Sequence, residues 1–228
     1  MQTCYACQKP ATTKEHTPPL CLFPDRKDIP DGVDFRRNLI TVPSCEEHNL
    51  KKSGDDEYLL YVLSTNLPAN EIAQAQWTKL KRAVVRRPAL WNSMCSSSED
   101  VEVMDSQTGK IYEAVQIGLD GSRFQRSLEL ITLGIYCHHF GNHWIGNIRI
   151  HSDFADFPYE SSKAEIDANR MLVFHCAEKL FASIPRHGDN QDVFWYQVYK
   201  PENSFRYLIR IGFYGRCTIT AFLGEMNE

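Results

Sequence analysis

The chain has 228 residues, of which 43% are hydrophobic, and it carries a net charge of −4 at neutral pH. This length allows one large domain or two small ones, with a hydrophobic core in either case. The net charge makes no global case for nucleic-acid binding, although local basic patches matter more than the total.

Export and membrane signals are not visible in the sequence. No apolar run approaches the roughly 18 residues of a membrane span, and the N-terminus has no basic segment followed by an apolar one. Eight cysteines in such a chain indicate a reducing compartment, where paired cysteines are metal ligands more often than disulfides. We therefore expect a cytoplasmic protein without a membrane partner.

The first 65 residues are short apolar pieces separated by Pro- and Asp-rich loops. A strand is predicted over 38–43, NLITVP. Ser44 with Glu47 three residues later is the pattern of a capping box, so a helix is expected to begin there. The stretch 56–64, DEYLLYVLS, continues that helix or begins a second one.

Residues 69–87 predict an amphipathic helix with a basic C-terminal end. Four apolar residues share one of its faces at helical spacing, namely Ala73, Trp77, Leu80 and Val84. Pro88 is expected to stop this helix. Residues 92–100, NSMCSSSED, then indicate a linker or an exposed loop.

The remainder of the chain predicts a hairpin, a helix, a strand, a second helix and three further strands. In that order they cover 101–118, 123–136, 143–152, 162–181, 193–200, 204–215 and 216–223. The sum is an α+β fold in two units that meet near residue 95. The first, 1–94, holds the N-terminal motifs and the basic helix, and the second, 95–228, is a mixed α+β domain with antiparallel strands.

Two short pairs of metal-ligating residues bracket the N-terminal segment. Cys4 and Cys7 form a Cys-x-x-Cys pair, and Cys45 and His48 form a Cys-x-x-His pair. Three thiolates and one imidazole are a tetrahedral donor set typical of structural zinc. We therefore predict one Zn²⁺ bound by these four residues, with Cys21 as an alternative ligand.

A second site is predicted between the two pairs. Glu15 and His16 are adjacent on a probable strand that two prolines end. Adjacent strand residues point to opposite faces, but at a twisted strand end they can flank one site, one holding a metal and the other facing a water. Asn49 directly follows the last zinc ligand. Zinc would therefore tie the strand of His16 to the helix that carries Asn49.

The motif order Cys-x-x-Cys, Glu-His-x-x-Pro, Asn-Leu-Ile-Thr-Val-Pro and Cys-x-x-His-Asn resembles the HNH endonucleases of the ββα-metal fold. The resemblance covers residues 4–57, about a quarter of the chain. It implies that His16 is the general base toward a water and that Glu15 and Asn49 ligate one divalent metal. It also implies that Asn38 braces the loop, and that the two Cys and His pairs are the zinc-knuckle positions.

The chemistry of these residue types also fits phosphodiester hydrolysis without the resemblance. The reaction needs an activated water and a Lewis acid that stabilises charge on the phosphate. A histidine near its ordinary pKa accepts the water's proton at neutral pH. Carboxylate and amide oxygens suit Mg²⁺ or Mn²⁺. Asp56, seven residues after Asn49, is a further candidate ligand, or else part of a solvated acidic helix cap.

Phosphate contacts are expected from four basic residues, Arg36, Arg37, Lys51 and Lys52. The basic end of the 69–87 helix either adds to them or is an ordinary charged outer face. Residues 136–143, YCHHFGNH, indicate a loop rather than a second metal site. The aromatic strands over 193–215 favour a core over a surface that stacks bases. By elimination, 95–228 is expected to bind a partner, regulate or recognise the target.

The sequence thus predicts a metal-dependent HNH-type endonuclease acting on nucleic acid, with DNA expected, structural Zn²⁺ and catalytic Mg²⁺ or Mn²⁺. Such nucleases occur in several systems, of which restriction or phage defence is the expected context. The alternative is a zinc-stabilised module that binds nucleic acid or protein without catalysis. A further alternative places the main activity in residues 100–228, with the N-terminal unit as a docking platform.

Overall fold

The computed structural model describes residues 2–29, 33–66, 70–104, 109–155 and 163–225. Within these residues the strands are β1 (Thr13–His16), β2 (Thr41–Ser44), β3 (Glu99–Met104), β4 (Ile111–Gln116), β5 (Asn147–Ser152), β6 (Phe194–Tyr199), β7 (Tyr207–Phe213) and β8 (Cys217–Gly224). β1 pairs with β2 and β3 pairs with β4, while a four-stranded sheet has the order β5-β8-β7-β6. Every pairing is antiparallel, as predicted for the C-terminal half.

The α-helices of the described residues are α1 (Ser53–Ser64), α2 (Glu71–Ala75), α3 (Trp77–Arg86), α4 (Pro88–Cys95), α5 (Gly121–Phe140) and α6 (Lys163–Phe181). Short 3-10 helices cover Leu20–Leu22, Arg26–Asp28 and Leu50–Lys52. The predicted α+β class is confirmed, since a β1–β2 hairpin and α1 precede a mixed unit of helices and antiparallel strands. None of the helices described here combines the length and apolarity needed to cross a bilayer.

α5 contacts elements from both the N-terminal and the C-terminal parts of the chain. Its start is fixed by Asp120, whose side chain accepts a hydrogen bond from the amide of Arg123 at 3.0 Å. Its end is fixed by Gly141, which has a φ of 75°, a left-handed value that glycine adopts without strain. α5 packs against α1, β2 and β5. The helix that the sequence predicted over 123–136 is confirmed, and it is longer at both ends.

One cluster of buried side chains includes residues from both predicted domains. It contains Leu22 and Leu59 from the N-terminal part, Phe124 from α5, and Ile209 and Leu223 from the four-stranded sheet. The predicted boundary near residue 95 therefore does not coincide with a break in the core. Buried contacts thus cross this boundary and join the segments of Leu22 and Leu59 to the sheet in one core.

The predicted helix start at Ser44 is wrong. Ser44 is the last residue of β2, and its hydroxyl donates to the carbonyl of Cys45 at 3.1 Å instead of capping a helix. Glu47 pairs with Lys9 at 2.5 Å. The chain makes a turn and a 3-10 helix before α1 begins at Ser53. The turn that positions Cys45 takes the place that the capping-box pattern assigned to a helix.

The single helix predicted over 69–87 is two helices, because Gln76 lies between α2 and α3. The Gln76 side chain is fully buried, and its amide donates to the carbonyl of Leu22 at 2.8 Å. Ala73 and Leu80 are buried as predicted, whereas Trp77 is 46% exposed. The buried face thus includes a polar residue whose hydrogen bonds decide where the helix is interrupted.

The linker or exposed loop predicted over 92–100 is confined to residues 96–98, which are exposed and lie between α4 and β3. Pro88 ends α3 as expected, but it occupies the first turn of α4, where a missing N–H costs nothing. Residues 92–95 complete α4, and 99–100 begin β3. Met94 is buried, and its carbonyl accepts a hydrogen bond from Gly118 at 2.9 Å. These contacts hold the stretch against the body of the protein.

Gly134 allows α5 to approach the end of β1 closely. A Cβ at this position would lie 2.4 Å from the Thr17 hydroxyl oxygen and 2.8 Å from the Thr17 Cβ. Gly134→Ala is therefore expected to lower the free energy of unfolding by about 1–3 kcal/mol, as overpacking does. Denaturant unfolding measures this effect.

Gly54→Ala in α1 is the matched control. Its Cβ would meet only the flexible end of Arg123, at 3.4 Å, so we expect a change between zero and about 1 kcal/mol of stabilisation from helix propensity. If Gly134→Ala were as stable as Gly54→Ala, the close packing of α5 on Thr17 would be contradicted.

Candidate metal and catalytic site

Four residues from the two ends of the β1–β2 segment converge on one point. The ligand atoms of Cys4, Cys7, Cys45 and His48 all lie within 4.8 Å of one another. The sulfurs of Cys7 and Cys45 are 3.8 Å apart, and His48 Nδ1 lies 3.6 Å from Cys4 Sγ and 3.3 Å from Cys45 Sγ. Tetrahedral zinc bonds of about 2.3 Å to sulfur and about 2.0 Å to nitrogen give similar separations. The predicted grouping is confirmed, and it could hold a metal such as zinc.

Local backbone geometry presents these ligands. The amide of Cys4 donates to the carbonyl of Lys9 at 2.9 Å, and the amide of Ala6 points at the Cys4 sulfur at 3.5 Å. The amide of Tyr5 donates to the Pro43 carbonyl on β2 at 2.8 Å, which fixes this turn against the hairpin. The second pair of ligands follows directly where β2 ends. A metal there would join the N-terminal turn to β2.

Other cysteines near the cluster stay outside it. Cys137 of α5 is buried in the same apolar patch as Cys4 and Val42, and burial raises the pKa of its thiol. Cys21, the alternative ligand, donates instead to the Asp56 carbonyl at 3.3 Å, and burial raises its pKa to about 12. Within the described part of the chain, the cluster above is the one group of three or more such ligands.

The loop predicted over 136–143 is wrong for its first five residues, which are helical. Residues 136–140 form the last turn of α5, with Cys137 buried and His139 packed edge-on against His187 and Tyr196. The strands over 193–215 supply the core, as the sequence favoured, since Phe194 and Ile211 are buried.

His16 lies at the end of β1, opposite Thr41 of β2, and lines a cleft. The charged groups of that cleft besides His16 are Lys52, Asp56 and Asp55, and one wall is formed by α5. Partial burial lowers the pKa of His16, and the positive charges of Arg36 and Lys52 lower it further. The imidazole is therefore neutral at pH 7 and is able to accept a proton.

Glu15 and Asp56 meet at the ammonium of Lys52. Lys52 Nζ lies 2.8 Å from a Glu15 oxygen and 2.7 Å from an Asp56 oxygen, and the Glu15 and Lys52 side chains are each only 9% exposed. Burial raises the pKa of Glu15 and of Asp56, while the Lys52 ammonium opposes both shifts. The pKa of Lys52 is itself raised, because the attraction of the two carboxylates outweighs its own burial. The Lys52 ammonium is thus the cation that both carboxylates bind.

Asn49 connects the segment before α1 to β1. Its side-chain amide donates to the Thr13 hydroxyl and to the Lys14 carbonyl, each at 3.0 Å. These bonds use the amide nitrogen, so its carbonyl oxygen is the atom left for a metal. These bonds tie Asn49 to the strand that carries Glu15 and His16.

Asn38 contacts the C-terminal half of the chain. It has a φ of 52°, and its amide donates to the Asp189 carboxylate at 2.7 Å. Asn190 donates to the carbonyl of Arg37 at 3.0 Å. Asn38 therefore braces its loop against residues 189–190 of the C-terminal half.

The four predicted phosphate contacts fall into two groups. Arg37 and Lys51 are exposed, so their cationic groups are available to a ligand. Arg36 pairs with Asp25 and donates to the Phe23 carbonyl at 3.1 Å, and Lys52 is buried between carboxylates. The cationic groups of Arg36 and Lys52 are thus used inside the fold, in contrast to the prediction.

Sequence reasoning missed two features of this site. Lys52 is the central cation of this site, although the spacing of four residues between Lys52 and Asp56 is a helical pairing signal that the sequence shows. Arg123 of α5 pairs with Asp55 at 2.6 Å, and no local pattern indicates this contact. Comparison with family models, curated proteins and solved structures found no match to this chain.

Proposed function

We propose that this protein is a metal-dependent endonuclease of the HNH type that hydrolyses phosphodiester bonds of nucleic acid, with DNA as its substrate. The observation that supports this proposal is the cleft at the end of β1. There His16 has a lowered pKa and lies beside Lys52 and Asp56. A neutral histidine next to carboxylate oxygens is a donor set that suits metal-assisted hydrolysis.

His16 would act as the general base. It would take a proton from a water in the cleft as that water attacks the phosphorus, and the bond to the leaving oxygen would break on the opposite side. Because burial and, after it, nearby positive charges hold its pKa below the ordinary value, His16 would be in the basic form throughout the neutral range. Arg37 and Lys51 would hold flanking phosphates.

The residues around Lys52 fit a hard divalent ion such as Mg²⁺ or Mn²⁺. Carboxylate oxygens of Glu15 and Asp56 converge on the position of the Lys52 ammonium, which a bound ion would displace, and oxygen donors are what these ions prefer. Glu15 and Asp56 would hold the ion, with the Asn49 carbonyl as a further ligand. When bound, such an ion supplies Lewis-acid stabilisation of charge on the phosphate.

Incubation of purified protein with plasmid DNA tests the proposal. Supercoiled plasmid should become nicked or linear with added Mg²⁺ or Mn²⁺ and stay intact without an added divalent ion. A parallel incubation with RNA tests the choice of DNA. Intact plasmid in both metals, with protein that is folded and contains zinc, would contradict the proposal.

A zinc-stabilised binding module without catalysis is the second candidate, and one observation favours it. The ammonium of Lys52 already neutralises part of the charge of Glu15 and Asp56. In this alternative the triad is a buried ion-pair network that fixes β1 on α1. Such a module would bind its ligand equally well with and without divalent ions.

Lys52→Met distinguishes these candidates. Removing the ammonium leaves two buried carboxylates without a partner, so we expect a loss of about 3–5 kcal/mol in stability when no metal is added. We also expect Mn²⁺ to bind at least about tenfold more tightly, because a repelling charge within a few ångströms is gone. Titration of the free Mn²⁺ signal by electron paramagnetic resonance and unfolding with and without Mn²⁺ measure both effects.

The exposed neighbour provides the control, since Lys51→Met removes a charge without opening the triad. It should leave both stability and Mn²⁺ affinity close to those of the wild type. If neither the wild type nor Lys52→Met bound Mn²⁺, the divalent-ion site would be contradicted and the module without catalysis favoured.

A further inference from the structure

A second surface of the chain is a basic groove between α3 and the 3-10 helix Arg26–Asp28. It offers a volume of about 620 Å³, enough for a group larger than a single ion. Five lining side chains are cationic, namely Lys27, Lys79, Lys81, Arg82 and Arg86. Asp25 is the acidic residue that lines it, and Val85, which is 81% exposed, is the apolar one.

Only part of this positive charge is neutralised within the protein. Arg82 makes a two-pronged pair with Asp28 at 2.8 and 3.2 Å. Among the residues that the structure describes, Lys27, Lys81 and Arg86 form no ion pair, and all three are exposed. The groove therefore presents unpaired cations in a chain whose net charge is negative.

Residues 21–28 lie between the groove and the residues of the His16 cleft in two chains of contacts. Asp25 lines the groove and pairs with Arg36, whose charge helps to lower the pKa of His16. On the other side, Lys79 donates to the Cys21 carbonyl at 2.7 Å, and the Cys21 thiol bonds to the Asp56 carbonyl. Two chains of contacts thus connect the groove to the catalytic cleft.

We propose that this groove binds the sugar–phosphate backbone of a nucleic acid that extends from the segment held at His16. The choice of ligand rests on the proposed function. A row of unpaired cations complements the regularly spaced negative charges of a phosphate backbone, and Val85 offers an apolar contact for a sugar. Because phosphates carry no sequence information, this surface positions the substrate without selecting its sequence.

The test compares two double variants that each remove two positive charges. Lys81→Ala/Arg86→Ala removes two of the unpaired cationic side chains from the groove. Lys9→Ala/Arg87→Ala removes two exposed cations outside it, which pair with Glu47 and Glu57. Binding of a fluorescent DNA duplex is measured by anisotropy at several salt concentrations, without added divalent ions so that no cleavage interferes.

The groove variant, Lys81→Ala/Arg86→Ala, is expected to bind DNA of every sequence tested more weakly than the wild type does. The slope of log affinity against log salt should fall in magnitude by about two, or about one for each phosphate contact. The control variant should keep the wild-type slope. Equal slopes in both double variants, or displacement of DNA by polyglutamate at equal charge concentration, would overturn the proposal.

Cleavage measured in parallel separates this proposal from the proposed function. If the wild type cleaves DNA and the groove variant binds with the wild-type slope, the groove assignment is wrong and the endonuclease remains. If the groove variant alone loses binding and no protein cleaves DNA, the groove is supported and the endonuclease fails. A wild type that binds no nucleic acid overturns the groove as a nucleic-acid surface.

Discussion

Cys45→Ser is expected to abolish zinc binding and to unfold the N-terminal part of the chain. Serine is not a structural zinc ligand, so the loss of the Cys45 thiolate leaves three donors for a tetrahedral ion. Zinc contributes about 10–16 kcal/mol to the folding of small zinc fingers, which is comparable with the whole stability of a typical domain. The cluster packs against Leu130 and Leu133 of α5, so the loss should also reach the shared core. Elemental analysis and thermal unfolding measure these effects.

Cys137→Ser is the matched control for this prediction. Cys137 is buried in the same patch as the cluster but is not one of its four ligands. The control should lose some packing energy and keep one zinc per chain. A Cys45→Ser protein with one equivalent of zinc and the wild-type melting temperature would contradict the ligand assignment, as would wild-type protein purified without chelators and free of zinc.

His16→Ala is expected to lower the cleavage rate by about 10²- to 10⁴-fold, the usual contribution of a positioned general base. His16 is not among the predicted zinc ligands, so the zinc content should not change, and the fold should stay intact. DNA affinity should also remain, because phosphate contacts come from lysine and arginine. Single-turnover cleavage, zinc content and DNA binding of the same preparation separate these effects.

Two further results are specific to a base. Added imidazole should partly restore cleavage by His16→Ala, since removal of this half-buried side chain leaves a space of its own size, whereas excess Mn²⁺ should not. Glu15→Ala and Asn49→Ala should show the opposite pattern, because they weaken the divalent ion. The same rescue pattern for all three variants would contradict the separate roles.

The pH dependence follows from the environment of His16. Its pKa is lowered by burial and by Arg36 and Lys52, with Asp56 also at the cleft. The base must be unprotonated, so the rate should rise with pH through that lowered pKa and level off below about 6.5, the ordinary histidine value. Arg36→Ala should move the rise toward higher pH. A rise that begins above the ordinary value would contradict a neutral His16 at pH 7.

The metal cluster could be predicted from the sequence because its signal is local and chemical. Two pairs of ligands at spacings that one turn presents to one ion need no knowledge of the rest of the fold. The strands β6 to β8 were likewise visible, because aromatic and β-branched runs separated by turn residues are typical of strands.

The errors came from contacts between distant parts of the chain. Gln76 interrupts a helix because its amide bonds to Leu22, far away in the sequence. Lys52 directly follows the exposed Lys51 and carries the same positive charge. Its side chain is nevertheless buried between Glu15 and Asp56. The Gln76 position does not differ in local pattern from an exposed polar residue, and the spacing of Lys52 from Asp56 does not by itself indicate burial. Tertiary contacts decide such cases, and composition and periodicity do not report them.

The most direct test of a nuclease centred on His16 is a time course of labelled duplex DNA with three proteins purified alike. These are the wild type, His16→Ala and His175→Ala, whose histidine is exposed on α6. In Mg²⁺ or Mn²⁺ the wild type and His175→Ala should cleave at the same rate, and His16→Ala should be slower by about 10²-fold or more. The same rate for all three proteins, or no cleavage by the wild type in either metal, would contradict this function.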